Sequence, residues 1–169
     1  HFADFITGAL QALMPFSPSS PLAHSVSKSE FTFEALKQER SSVYIMAPYH
    51  RKEAYAPWIG LIAKSAIKSL IRTPGNVPVH FLLDEATNIP LPGLANDLTA
   101  LRGYGLRCHI ICQAKSELQR VYGKEQTETF YSQSDLKQFF GVTSLSEAKE
   151  ISAMLGEYTI KSQNLGMDR

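Results

Sequence analysis

Hydrophobic positions recur with a helical period at the start of the chain. Phe2, Phe5, Ile6, Ala9, Leu10 and Leu13 share one face, which predicts a helix. Pro15 ends it, and SPSSPL follows as a loop of turn-forming residues. Thr32 is placed to cap a short helix through Leu36. The run SVYIMAP, Ser42 to Pro48, is short and rich in β-formers and predicts a strand. The next apolar pattern, from about Lys52 to Arg72, has a period of 3.6. Trp58, Ile62, Ala66 and Leu70 mark one face, and Leu61, Ile67 and Ile71 widen it. So broad a stripe suits packing on a sheet rather than on a single helix. TPGN at 73–76 stops the helix. VPVHFLLDE, Val77 to Glu85, is then apolar on both alternating faces, as a central parallel strand is.

The second half continues the alternation. PLPGLANDLTALRGYG predicts a loop, a short helix from about Leu94 to Arg102, and a glycine-rich stop. Gly103 and Gly105 suit the left-handed position that closes helices. RCHIICQ reads as another buried strand, SELQRVYG and KEQTETFYSQ as helical or loop pieces, and LKQFFGV, from Leu136, as a strand. Ser144 with Glu147 three residues on is a capping box opening a helix to Leu155, closed by Gly156. EYTIK reads as a last short strand. Strands alternating with helices predict an α/β fold with a mainly parallel sheet. In such sheets ligands bind beyond the carboxyl ends of the strands.

Composition adds exclusions. The 169 residues suit one domain of ordinary size, with 44% hydrophobic and 20% charged residues; general disorder is excluded. The net charge of +1 leaves no footprint of a basic nucleic-acid binder. The most apolar region, Ala54 to Ile71, is interrupted by Lys64 and Lys68, so no uncharged run spans a membrane. No basic start precedes an apolar run, so no signal peptide is read. The five histidines form no metal-ligand spacing. Cys108 and Cys112 are too few for a disulfide scaffold and read as reduced core thiols. The first residue is His1, not Met, so the chain is expected to be a piece of something longer.

Asp84 and Glu85 directly follow the most apolar strand, in the form of a Walker B motif. An Asp there reaches Mg²⁺, which prefers hard oxygen ligands, and a Glu one residue on orients and polarises an attacking water. The alternative is a pair of loop acids capping a helix. Gln113 ends the next strand, 29 residues after Asp84. Its amide can donate to a γ-phosphate and accept from a water, or it is simply a polar strand end. Arg102, before the glycine turn, suits either an arginine finger or a cation at a helix C-terminus. Arg107 is the other candidate finger, and spacing does not choose between them. No GxxxxGK[ST] occurs, and GYG at 103–105 is not GxGxxG, because position 108 is Cys. Lys115, Arg120 and Lys124 could track a nucleic-acid strand or be solvated helix faces.

Taken together, HFLLDEATNIP, LTALRGYGLRCHIICQAKSELQRVYG and SLSEAKEISAMLGEYTI resemble the type IV secretion coupling proteins of conjugation, the TraG- and TraD-like ATPases. FTFEALKQERSSVYIMAP resembles the segment before that family's long sheet-packing helix. The specific combination is DEATNIP, RGYG, a strand-end Gln, and then Gln-x-x-YG. The resemblance, from about Phe2 to Lys161, implies half of a RecA-like P-loop NTPase, with helices on both faces of the sheet. It implies a homo-hexameric ATPase using ATP and Mg²⁺ at the cytoplasmic face of the bacterial inner membrane. Such a motor moves single-stranded DNA and passes relaxase or effector substrates to the secretion channel. Asp84 and Glu85 match its Walker B pair, Asp84 on the metal and nucleotide side. Gln113 matches its third motif, and Arg102 its proposed trans finger. On this resemblance residues 1–169 are the C-terminal part of the motor domain. The Walker A loop, all-α domain and membrane helices are expected upstream, and the isolated chain is expected to bind ATP weakly or not at all. The competing expectations are a non-catalytic, ATPase-like module recognising secretion substrates or channel components, and a small-molecule binding domain.

Overall fold

The computed structural model describes residues 2–91 and 93–157. They fall into two compact units, His1–Ser134 and Asp135–Arg169. The first unit is built on two parallel strands, β1 (Val79–Leu83) and β2 (Leu106–Ile110), with Val79 opposite Leu106 and Leu83 opposite Ile110. Successive side chains alternate across the pleat. Val79, Phe81 and Leu83, with Leu106, Cys108 and Ile110, line the core. His80, Leu82, Arg107 and His109 on the other face are exposed. Among the described residues the helices cover one face of this two-stranded sheet; the resemblance implies helices on both faces. The apolar Leu82, which suggested a strand buried on two sides, is 70% exposed.

Among the described residues this unit has six α-helices. α1 (Phe2–Leu13) keeps its predicted apolar periodicity but buries no residue. α2 (Pro21–Ser25) is capped by the Ser20 hydroxyl, which accepts from the Ala23 amide at 3.0 Å. α3 (Lys52–Arg72) spans the predicted residues. Its buried stripe is Ile59, Ala63, Ala66, Ile67 and Leu70, rotated from the predicted face, since Leu61 is 56% exposed. α4 (Leu94–Leu101), α5 (Lys115–Tyr122) and α6 (Lys124–Gln133) complete the layer. Leu70, Leu94, Leu101, Leu106 and Thr127 are its most deeply buried large side chains. Thr127 is satisfied there, its hydroxyl donating to the Gly123 carbonyl at 2.8 Å.

Several expectations change. Residues 42–47 run without secondary structure, and no ladder joins them to β1 among the described residues. β-propensity records fit to a pleated neighbour, and here Tyr44 and Met46 stay more than 80% exposed. Residues 136–142 likewise form no strand, for the same want of a partner. Thr32 precedes a 3₁₀ helix, Phe33–Lys37, without capping it through its side chain. Of the two glycines after α4, only Gly105 is left-handed, at φ +69°. In the second unit, α7 (Leu145–Leu155) begins as predicted, the Ser144 hydroxyl accepting from the Glu147 amide at 3.5 Å. Gly156 follows at φ +72°. The predicted strand EYTIK lies, beyond Glu157, outside the described residues.

Candidate active site at the strand ends

The parallel register continues past both strands. The Ile111 amide donates to the Leu83 carbonyl at 3.0 Å, and the Ala86 amide donates to the Ile111 carbonyl at 2.9 Å. This hydrogen bonding sets the turn after β1 against the strand end leading to Gln113. Asp84 is exposed there and Glu85 is half-buried. Glu85 is left-handed, at φ +47°, the one such non-glycine residue among those described. The turn closes where the Asn88 amide donates to the Glu85 carbonyl at 2.8 Å.

Both carboxylate oxygens of Glu85 are engaged. Gln113 Nε2 donates to Oε1 at 3.3 Å, and Asn88 Nδ2 donates to Oε2. The Lys52 ammonium, at the start of α3, donates to Asn88 Oδ1 at 3.1 Å. One residue away, the Thr87 hydroxyl donates to Glu117 Oε2 at 3.3 Å. The far side of the loop is held by Tyr122 at the end of α5. Its hydroxyl donates to the Ala86 carbonyl at 3.1 Å and accepts from the Leu91 amide at 3.2 Å, both within the core. Burial pushes the Tyr122 phenol up, partly offset by the Leu91 amide.

The structure thus brings Asp84, Glu85 and Gln113 together and places the arginines elsewhere. Arg102 opens the 3₁₀ turn Arg102–Tyr104 before β2, at the opposite end of that strand from Gln113. Five residues at about 3.3 Å each separate the two ends. That turn is held from beneath by Lys37, a buried lysine whose ammonium donates to the Tyr104 carbonyl. Arg107 lies within β2 on the exposed face. Of the strand-tracking candidates, Lys115 is taken up inside the fold. It pairs with Glu128 at 3.3 Å and sits 4.4 Å over the Tyr131 ring. Arg120 and Lys124 are exposed.

Sequence reasoning missed Asn88, Lys52, Tyr122 and Lys37. Two of them lie inside the motifs it singled out, Asn88 in DEATNIP and Tyr122 in Gln-x-x-YG. Beside the site, a cleft of about 710 Å³ runs between residues 39–46, α3 and β1, bounded by Val43, Ile45, Phe81 and Leu83 and reaching Asp84. Among the described residues no three metal-ligating side chains cluster, and no helix is long and apolar enough to cross a membrane.

Residues 7–167 match the family described as Type IV secretory system Conjugative DNA transfer. The chain is 28% identical over 145 residues to Protein VirD4 of Agrobacterium fabrum, covering 83% of this chain and 22% of that protein. It is 24% identical over 158 residues to the conjugal transfer protein TraG of Escherichia coli, covering 85% of this chain and 25% of that protein. It therefore spans about a fifth to a quarter of the length of these relatives. The solved bacterial conjugative coupling protein TrwBdeltaN70, unbound monoclinic form, superposes with a TM-score of 0.55 at 19% identity, over 72% of this chain and 34% of that one. That likeness shows an α/β, RecA-like fold. With nearly its whole length matched, the chain belongs to the type IV secretory system conjugative DNA transfer family.

Proposed function

We propose that this chain is the Walker B part of a type IV coupling-protein motor, in which ATP hydrolysis drives substrate toward the secretion channel. One observation carries the reading. Glu85 and Gln113 meet at 3.3 Å at the carboxyl ends of neighbouring parallel strands, with Asp84 adjacent in the chain. That edge is where open α/β sheets place their ligands.

Asp84, an exposed carboxylate, would hold a Mg²⁺ ion, a hard cation that prefers oxygen ligands. When bound, such an ion would supply positive charge against the nucleotide phosphates. Glu85 orients a water toward the γ-phosphate and accepts its proton. Gln113 bridges the carboxylate to the phosphate side, since its amide both donates and accepts. The backbone cradle for the phosphates is supplied outside these residues, which contain no GxxxxGK[ST]. Arg102, at the far end of β2, serves the nucleotide of a neighbouring subunit in a homo-hexamer. The transported substrates are single-stranded DNA and relaxase or effector proteins, carried at the inner membrane.

The test is Glu85→Gln in the coupling protein that carries this chain. The expected result is retained ATP binding with hydrolysis reduced by at least about 100-fold, the scale of a lost general base. Hydrolysis at the normal rate would remove Glu85 from its role.

A further inference from the structure

The Glu85 carboxylate is held by an amide that is itself held. Asn88 Nδ2 donates to Glu85 Oε2, and Lys52 Nζ donates to Asn88 Oδ1 at 3.1 Å. An asparagine amide has two faces that differ chemically, one accepting and one donating. Rotated by half a turn, Asn88 would set its carbonyl oxygen against the carboxylate, and the two would repel. An ammonium carries only donors, so Lys52 on Oδ1 selects the orientation that aims Nδ2 at Glu85. The same residue closes the turn through its backbone amide, 2.8 Å from the Glu85 carbonyl.

We infer that Asn88, oriented by Lys52, is a positioning residue for Glu85: it fixes which way the carboxylate faces and so where the attacking water sits. The inference rests on the reading of Glu85 as the base. The relay runs Lys52, Asn88, Glu85, Gln113. It joins the start of α3 to the tips of both strands through three hydrogen bonds. All four residues lie in the first unit, and Lys52 and Glu85 are 33 positions apart in the chain. A shift at the start of α3 is therefore transmitted to the carboxylate.

The experiment measures steady-state ATP hydrolysis in the coupling protein carrying Asn88→Asp, Lys52→Met, Lys52→Arg or Glu85→Gln. Asn88→Asp keeps size and shape but exchanges the donor for an acceptor, so a packing role survives it and a donor role does not. The expected result for Asn88→Asp is a kcat at least about tenfold lower, within the range for a misplaced reacting group, with KM for ATP within about twofold. Lys52→Met lowers kcat in the same sense, and Lys52→Arg, which still donates, restores most of it. Normal kcat in Asn88→Asp and Lys52→Met, with Glu85→Gln inactive, overturns the relay and leaves the base intact. A raised KM with kcat retained assigns Asn88 to nucleotide binding and also overturns it. Full activity in Glu85→Gln overturns the underlying reading instead.

Discussion

Replacing Tyr122 by Phe removes one oxygen and tests whether the loop that follows Asp84 and Glu85 is clamped. The Tyr122 hydroxyl is the partner of two buried backbone groups, the Ala86 carbonyl at 3.1 Å and the Leu91 amide at 3.2 Å. Ala86 is 4% exposed and Leu91 is 3% exposed, so solvent does not take over either bond. An unpaired buried donor or acceptor costs about 1–3 kcal/mol. Two of them, less some relaxation of the loop, give about 2–4 kcal/mol. The ring itself keeps its edge-to-face packing on Phe130, with centroids 5.0 Å apart, so hydrophobic burial is nearly unchanged. At roughly 2–4 °C per kcal/mol for a chain of this size, the melting point falls by about 5–15 °C. Guanidinium unfolding followed by circular dichroism gives the free-energy change, and an unchanged denaturant slope confirms that stability alone has moved. Hydrogen exchange at the Leu91 amide locates the loss, accelerating even at sub-denaturing concentrations. A destabilisation below about 0.5 kcal/mol, with Leu91 exchange unaltered, would refute the clamp.

Two further outcomes follow from the core. Burial, reinforced by the negative charge of Asp97, pushes the Cys108 thiol from its ordinary value near 9 up to about 11. A raised pKa favours the protonated folded form, so stability is full below pH 9 and falls between pH 9 and 11, by about 2–3 kcal/mol. Denaturation of Cys108→Ala against the parent across that range checks it, and equal slopes for the two chains would contradict it. At Gly75 a Cβ would lie 2.5 Å from the Lys37 carbonyl oxygen and 2.6 Å from the Lys37 Cβ. Gly75→Ala is expected to lower stability by about 1–3 kcal/mol by overpacking, and an unchanged unfolding midpoint would show that the two segments separate freely.

What could be read from the amino-acid order follows the range of the forces involved. α3 and α7 were legible because capping, stop residues and a 3.6-residue period act within a few positions. β1 and β2 were legible as apolar runs between turn signals, but their open face was not, because only the surrounding elements decide which side of a strand is covered. Residues 42–47 mimic a strand in composition and lack one in fact, since a strand exists through its neighbour. At the site, Asp84, Glu85 and Gln113 were legible from their places at strand ends. Lys52 and Tyr122 were not, because their partners lie 36 residues away along the chain. Lys37 was hidden by the rule that lysines stay exposed; here a backbone carbonyl receives its buried ammonium.

The left-handed backbone of Glu85 ties these elements together. Had position 85 continued the pleat, its side chain would share the face of Val79, Phe81 and Leu83, which is the core. A carboxylate there would lose its hydration without compensation. A φ of +47° breaks the alternation and leaves the carboxylate half-buried, between Gln113 and Asn88. For a non-glycine residue this conformation costs on the order of 1–3 kcal/mol. Three hydrogen bonds around the turn offset it: Ala86 to Ile111, Asn88 to Glu85, and Tyr122 to Ala86. Glycine would take the same backbone without strain but supplies no carboxylate, so position 85 combines a glycine-like backbone with an acidic side chain. The Tyr122 clamp and the Asn88 turn are therefore part of the same device as the carboxylate they support, because without them the strained residue has a lower-energy way to lie.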